Sequence, residues 1–288
     1  MTDPKILPDV ETLAARISDG AKLAIFKDNG VAMEATRALI RRGARDLHIV
    51  TVPTSAFQAE LMVAAGIVGT IETSGVTMWE LGQASAFVRA VRTGAVRILD
   101  STCPAIYSQI QAGEKGIPFI PIRGLIGSDI LTVRDDYKVI DNPFGPNDEA
   151  DPIVALPAIR PDVALFHAPK ADRAGNVFVG GQLELKTIAH AALKSYVTVE
   201  EIVEDSLMED EGSGGVTIPA MYITGIALAP KGAWPLPMPG YYPGDIDYLV
   251  RYCQAARSEQ GLAAWLASEG LGPRAAPQGG SRMRTAAE

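Results

Sequence analysis

The first half of the chain alternates between short apolar runs and amphipathic segments, and this alternation most constrains the fold. Each predicted helix ends at a glycine, which readily takes the left-handed conformation that closes a helix. The spacing of about 20–25 residues predicts strands that alternate with helices. Such a pattern is typical of an open, mainly parallel sheet with helices on both faces, so the fold class is α/β. The predicted strands are 22–27, 47–52, 68–73 and 97–100.

From residue 131 onward the pattern changes to short apolar runs separated by polar turns. This predicts an antiparallel excursion around residues 131–160. A core strand is expected at 163–168, with a polar loop at 170–176 directly after it. A helix at 183–194 and a strand at 196–203 follow. The short strands of the excursion are predicted at 131–134, 137–140 and 152–156.

No domain boundary is evident, so residues 1–271 are predicted to form one domain. The tail, 272–288, is rich in Gly, Pro, Arg and Ala and is predicted to be disordered. The N-terminus lacks a basic stretch followed by an apolar core, and no apolar run reaches the length of a membrane span. These features predict a cytoplasmic protein without a membrane anchor.

Charge and side-chain chemistry exclude several functional classes. A net charge of −8 argues against nucleic acid and against an anionic membrane as partners. The two cysteines, Cys103 and Cys253, fit no zinc or redox spacing, and the three histidines are scattered. We therefore expect neither a metal site nor a bound cofactor.

The segment 97–104 reads as a strand, a tight turn and the start of a helix. Open α/β sheets bind ligands where the carboxyl ends of strands meet helix N-termini, because backbone N–H groups converge there. Ser101 and Thr102 are candidate N-caps, and Pro104 suits a first helical turn. Cys103 therefore lies where its side chain or its N–H can face a substrate.

Other residues predicted to line a substrate follow strand ends or form glycine loops. The loop after the first strand contributes one group, the end of the third strand another, and the loop after the short strand 117–122 a third. An ordinary turn is the alternative for each group. The residues are Asp28, Asn29, Gly30, Ser74, Gly75, Gly127 and Ser128.

Two strings in a fixed order carry a family resemblance. Residues 112–118 read Ala-Gly-Glu-Lys-Gly-Ile-Pro, and residues 170–176 read Lys-Ala-Asp-Arg-Ala-Gly-Asn. With the turn at Thr102 and Cys103, the chain resembles the A subunit of class I coenzyme A transferases over residues 10–265. The glutaconate CoA-transferase branch is the most similar. The second string more often fixes a turn by Asx-type hydrogen bonds and an ion pair than takes part in catalysis.

The resemblance implies an α/β fold and an active site shared with a B subunit, in a heterodimer or an α2β2 assembly. In the family, a B-subunit glutamate attacks the acyl-CoA thioester and then carries CoA as a glutamyl thioester. The B-type Ser-Glu-Asn-Gly signature is absent from this sequence, so no catalytic residue is expected in this chain. CoA thioester is then a substrate, together with a carboxylic acid.

Position 103 departs from the family pattern. The succinyl/acetoacetate branch has Gln at the corresponding turn and the ring-opening hydrolases have Glu, whereas this chain has Cys103. The thiol is a weak donor, which leaves open whether the Cys103 side chain or only the backbone N–H groups at the helix start contact the thioester oxygen. Cys103 could also be a buried filler or, least favoured, a covalent nucleophile.

The resemblance predicts the A subunit of a heteromeric CoA-transferase that moves CoA from an acyl-CoA to a carboxylate. The alternative within the family is a subunit of a CoA-thioester hydrolase or ring-opening hydrolase, in which water replaces the acceptor. Outside that chemistry, the chain could be a non-catalytic partner that stabilises another protein. A sugar-phosphate isomerase of similar topology is disfavoured, since its phosphate loops and acidic base are not visible.

Overall fold

The computed structural model describes residues 5–27, 29–146, 149–209 and 212–272. Within these ranges the chain forms strands and helices that alternate as the sequence predicts. The strands are β1 Lys22–Phe26, β2 Leu47–Val52, β3 Val68–Thr73, β4 Arg97–Asp100, β5 Phe119–Ile122, β6 Lys138–Asp141, β7 Pro152–Pro157, β8 Val163–Asp172, β9 Val177–Phe178, β10 Lys194–Val203, β11 Thr217–Ile218 and β12 Gly225–Leu228.

The helices cover both faces of the main sheet. Gly43 and Gly94 end α2 and α4 in the left-handed conformation, with φ of 77° and 70°, as the sequence predicts. The helices are α1 Val10–Ala15, α2 Met33–Arg42, α3 Phe57–Ala64, α4 Ser85–Thr93, α5 Cys103–Glu114, α6 Ile130–Val133, α7 Glu184–Ala191, α8 Ile246–Ala255 and α9 Glu259–Ser268. None of the helices within the described ranges is long and apolar enough to span a membrane.

The main sheet runs in the order β4-β3-β2-β1-β8-β10-β12, and every neighbouring pair in this order is parallel. Two short antiparallel strands, β9 and β11, extend the sheet beside the second half of β8. The chain moves outward from β1 in one direction through β4 and from β8 in the other. The topological switch point therefore lies between β1 and β8, where ligands bind in open sheets.

Each face of the sheet has its own core. On one face, Leu23 and Ile25 of β1 pack with α1, α2, α3, α8 and α9. On the other face, Ala24 and Phe26 pack with Ile106 of α5 and with residues of α7. This alternation along β1 is what a strand buried on both sides requires.

The antiparallel excursion is a three-stranded sheet in the order β5-β7-β6. Its inner residues, Val154 and Leu156, pack on Ala105 in the first turn of α5 and on Tyr137. The predicted strand at 131–134 is wrong, because Ile130–Val133 form the single-turn helix α6. The apolar run favours a strand locally, but Arg134 is buried against the main sheet and the chain must turn to place it.

The predicted polar loop at 170–176 is also partly wrong. Lys170 to Asp172 belong to β8, because they pair in register with Glu201 to Val203 of β10. Only the residues from Arg173 to Asn176 form the turn. Similarly, α7 ends at Ala191 and β10 begins at Lys194, earlier than predicted. In the predicted tail 272–288, residues 273–288 lie outside the described residues.

Candidate functional site

Two of the predicted site segments lie at neighbouring strand ends. Ser74 follows β3 directly, and Ser101 and Thr102 follow β4 and lead into α5. Because β3 and β4 are parallel, with Thr73 opposite Asp100, their carboxyl ends lie side by side. The tight turn before α5 and the loop after β3 therefore meet at one edge of the sheet.

Of the two predicted N-caps, Thr102 is the N-cap of α5, whereas Ser101 Oγ lies 2.8 Å from Tyr137 OH instead. Thr102 has extended backbone, with φ −112° and ψ 157°, and its hydroxyl accepts a hydrogen bond from Ala105 N at 3.4 Å. Cys103 is then the first helical residue and Pro104 the second, where a missing N–H costs little. Among the described residues, no acceptor lies in hydrogen-bond range of the Cys103 backbone N–H. This donor is one of the unpaired N–H groups that every helix start presents.

The Cys103 thiol is exposed, so the alternative of a buried filler is wrong. Its Sγ lies 3.1 Å from Oγ of Ser74, and Ser74 Oγ donates to the carbonyl oxygen of Pro53 at 2.8 Å. A hydroxyl has one proton to donate, so Cys103 is the donor to Ser74. The two side chains thus form a hydrogen bond with each other, and the Cys103 backbone N–H is a free donor at the start of α5.

Gly75 lies in the loop after β3 and is held by hydrogen bonds. Its N–H donates to Thr73 Oγ1 at 3.0 Å, and its carbonyl accepts from Ser55 N at 3.2 Å. Thr73 in turn accepts from Thr51 Oγ1 at 2.7 Å, and both threonines are buried. Gly75 therefore keeps Ser74 in place by backbone contacts.

Of the predicted loop at residues 28–30, Asn29 and Gly30 lie at the switch point of the sheet. Asp28 falls outside the described residues, whereas Asn29 and Gly30 are described. The Gly30 carbonyl accepts from His167 N at 2.8 Å, which ties this loop to β8. Gly30 has φ +72°, and a Cβ there would lie 2.9 Å from the His167 carbonyl oxygen. Only glycine fits this close approach.

Gly127 and Ser128 form a turn before α6. The Ser128 hydroxyl donates to Leu125 O at 2.8 Å, and Ser128 N donates to the same oxygen at 3.0 Å. Gly127 has φ +79° with open space where a Cβ would stand. The structure therefore brings Ser74 and Cys103 into contact, whereas Gly30 and Ser128 bond to other segments.

A buried polar network behind the turn was missed by sequence reasoning. Arg134 is 2% exposed and donates through Nη2 to Glu72 of β3 at 2.7 Å. Burial opposes ionisation of Glu72, but His48, Arg134 and Lys22 together hold its pKa below the ordinary value. Glu72 near the end of a predicted core strand was the available signal, because a buried carboxylate requires a partner.

A second buried network joins β8, β10 and the loop after β12. His167 Nε2 lies 2.7 Å from Oε1 of Glu200, and its Nδ1 lies 2.8 Å from Thr198 Oγ1. Glu200 also accepts from Tyr242 OH at 2.5 Å and from Lys231 N at 2.7 Å. Burial raises the pKa of Glu200, and these donors outweigh it and lower the pKa overall. The network fixes the Pro- and Gly-rich loop onto the sheet.

The string at 170–176 forms the expected Asx-type hydrogen bonds. Asp172 accepts from Asn176 N at 2.9 Å, from Asn176 Nδ2 at 2.8 Å and from Leu207 N at 3.0 Å. Lys170 lies over the ring of Phe178, 5.2 Å from its centroid. These contacts fix the turn between β8 and β9. In the described part of the chain, no group of His, Cys, Asp and Glu side chains could hold a metal ion.

Comparisons with known proteins agree with this fold. The model of the coenzyme A transferase family matches residues 9–229. The A subunit of 3-oxoadipate CoA-transferase from Pseudomonas knackmussii is 31% identical over 236 residues, which cover 81% of each chain. The crystal structure of glutaconate coenzyme A-transferase from Acidaminococcus fermentans has a TM-score of 0.83 and 24% identity, covering 92% of this chain and 88% of that chain. That of a variant of the decarboxylase AibA/AibB has a TM-score of 0.78 and 28% identity, covering 93% and 100%.

Proposed function

The chain belongs to the coenzyme A transferase family, and from this premise we propose that it is the A subunit of a heteromeric CoA-transferase. The matched 3-oxoadipate enzyme chain is itself named as an A subunit, and the similarity extends along most of both chains. The proposed reaction moves CoA from an acyl-CoA to a carboxylate acceptor. A B subunit of the same fold class supplies the nucleophilic glutamate, since this sequence lacks the B-type signature.

The proposed chemistry proceeds by exchange of acyl bonds. The partner's carboxylate attacks the thioester carbonyl, which gives a mixed anhydride and releases CoA as a thiolate. The thiolate then attacks the glutamyl carbonyl, so that the donor carboxylate leaves and a glutamyl-CoA thioester forms. The acceptor carboxylate reverses both steps. Each step develops negative charge on a carbonyl oxygen, and that charge requires fixed donors.

We assign the oxyanion role in this chain to the backbone N–H of Cys103. It is the free donor at an exposed helix start, and the dipole of α5 favours negative charge there. The Cys103 thiol donates to Ser74, whose own hydroxyl donates to Pro53. The free N–H beside this closed pair of side chains is the observation that carries the proposal.

We propose that the remaining predicted residues line the substrate or support residues that do. Thr102 caps the helix that presents the N–H, and Gly75 holds the loop that carries Ser74. The loop at the switch point and the turn before α6 are proposed to border the acyl or acceptor group. The residues of these two segments are Asp28, Asn29, Gly30, Gly127 and Ser128.

The test uses this chain purified together with a B subunit that carries the Ser-Glu-Asn-Gly signature. Acetyl-CoA and succinyl-CoA serve as donors, and 3-oxoadipate and glutaconate as acceptors. Borohydride added during turnover should reduce the glutamyl-CoA thioester on the partner to an alcohol with release of CoA, and peptide mass spectrometry should locate the modified residue. Without borohydride, the acceptor should become a CoA thioester. The partner with its glutamate changed to glutamine is the matched control and should give neither product.

Two outcomes would contradict the proposal. CoA transfer by this chain without a partner would show that the nucleophile lies here. Release of free CoA to water, with no acceptor thioester formed, would favour the hydrolase alternative of the same fold.

A further inference from the structure

The segment from Arg134 to Tyr137 lies directly behind the turn that carries Cys103. It links α6 to β6, so it belongs to the small sheet rather than to the main one. Both end residues are buried, with 2% of Arg134 and 5% of Tyr137 exposed. Neither side chain is exposed where a substrate would approach, so their polar contacts stabilise the structure of this chain.

Arg134 joins the carboxyl ends of β3 and β4. Its Nη2 donates to Glu72 on β3 at 2.7 Å, and its Nη1 donates to the Asp100 carbonyl, the last of β4, at 3.1 Å. Asp136 accepts from Nε and Nη2 at 2.8 Å each, which fixes the plane of the guanidinium. Every nitrogen of the Arg134 guanidinium is therefore engaged.

Tyr137 joins the turn to the helix that follows it. Its hydroxyl lies 2.8 Å from Oγ of Ser101, two residues before Cys103, and it donates to Gln109 of α5 at 2.9 Å. Its ring packs under the Arg134 guanidinium, 4.0 Å from centroid to Cζ. Tyr137 thus connects the residue after β4 to the second turn of α5, and Cys103 lies between these two positions in the sequence.

We propose that Arg134 and Tyr137 are positioning residues that set the geometry of the Ser74–Cys103 pair and of the free Cys103 N–H. Arg134 holds the strand that precedes Ser74 against the strand that precedes Cys103. Tyr137 holds the turn against α5. This inference rests on the proposed function only where it concerns catalysis, because the geometry of the pair can be measured on this chain alone.

The first experiment measures alkylation of Cys103 by iodoacetamide in a Cys253→Ser background, so that Cys103 is the reacting thiol. Ser74→Ala removes the acceptor of the thiol, and we expect alkylation to become about threefold faster or more. Tyr137→Phe, which keeps the ring and removes the hydroxyl contacts, should raise the rate similarly. In the double variant the two effects should not multiply, because both act on one contact.

The control is Tyr248→Phe. Like Tyr137, Tyr248 donates its hydroxyl to a side-chain oxygen, here Oε2 of Glu269 at 2.7 Å, but it packs in the core on the opposite face of the sheet. This variant should leave the alkylation rate unchanged. Arg134→Lys removes the planar guanidinium and should raise the alkylation rate as Tyr137→Phe does. If this variant does not fold, the comparison of Tyr137→Phe with Tyr248→Phe decides the question.

The second experiment measures turnover of the complex with the B subunit. Tyr137→Phe should lower kcat about tenfold and leave KM within twofold, since the donor moves and the binding surface stays. An unchanged alkylation rate in Tyr137→Phe would overturn the inference. The inference would also be overturned if Tyr137→Phe raised the alkylation rate by the same factor with Ser74 present and with Ser74→Ala. Independent effects of this kind indicate a general structural change. If the effects of Tyr137→Phe and Ser74→Ala on the alkylation rate do not multiply but the complex fails to transfer CoA, only the proposed function is contradicted.

Discussion

Cys103 presents two donors at the edge of the sheet, and its side chain is the weaker one. The thiol is committed to Ser74 at 3.1 Å, whereas the backbone N–H is free. A thiol is a weak hydrogen-bond donor, and this one is already paired with Ser74. We therefore propose that the backbone N–H is the donor that this turn contributes.

Two substitutions at Cys103 separate the side chain from the backbone. Cys103→Ala keeps the N–H, so kcat of the complex should stay within about threefold of the wild type. Cys103→Pro removes the N–H at a first helical position that tolerates proline, after a Thr102 in extended conformation. Its kcat should fall by about 10²–10³, the loss measured for one oxyanion donor.

Steady-state kinetics with acetyl-CoA and succinyl-CoA measures both variants, and circular dichroism checks that α5 still forms. A large loss of kcat in Cys103→Ala would contradict the assignment to the backbone. Equal activity of the Ala and Pro variants would contradict it as well.

Among the elements, α5 connects the site to the rest of the molecule. Its start carries Thr102 and Cys103, and its second turn carries Gln109, which donates to Pro157 O of β7 at 2.9 Å. Gly113 in its last turn lies against the chain after β7, where a Cβ would come closer than 3.0 Å to the Ile159 carbonyl. The small sheet and α5 therefore pack without room for adjustment.

Gly113→Ala tests this packing. The added methyl group forces α5 away from Ile159, so we expect a loss of about 1–3 kcal/mol in the free energy of unfolding. Gly181→Ala is the control, since its Cβ would meet nothing within 4 Å. Urea denaturation measures both. A stabilised Gly113→Ala variant would mean that helix propensity outweighs the overlap and that the packing is loose.

For the molecule as a whole, the Glu72–Arg134 pair joins the small sheet to the main one. Both side chains are buried, at 3% and 1% exposure. The lowered pKa of Glu72 means that the folded protein holds its carboxylate ionised more firmly than the unfolded chain does. The stability from this group is thus present above its ordinary pKa of 4.5 and is lost as the pH falls through the lower folded value.

Glu72→Gln should lower the free energy of unfolding by about 3 kcal/mol at pH 7, since it leaves Arg134 with one carboxylate fewer. The difference from the wild type should stay level down to about pH 5 and shrink below pH 4.5. Urea denaturation across this range measures it. Glu204→Gln breaks an exposed pair with Arg173 and should change little. A difference that grows on acidification would contradict the direction of the Glu72 shift.

The sequence by itself predicted much of this protein. The alternation of apolar runs with glycine-ended helices indicated that β1 to β4 are parallel, and cap chemistry located the start of α5 at Ser101 or Thr102. The two strings at 112–118 and 170–176 indicated the family that the comparisons show. These signals are local, because periodicity, caps and turns depend on residues within a few positions of each other.

Only the tertiary structure decided which distant residues meet. The contact of Cys103 with Ser74 joins residues 29 positions apart, and that of Arg134 with Glu72 joins residues 62 apart. Strand pairing extended β8 through Lys170, and burial of Arg134 turned an expected strand into α6. In each case a favourable free energy outweighs the local preference of the chain: strand pairing for β8, and pairing of the buried Arg134 with its carboxylates for α6. That contribution exists only once the distant partners are in place.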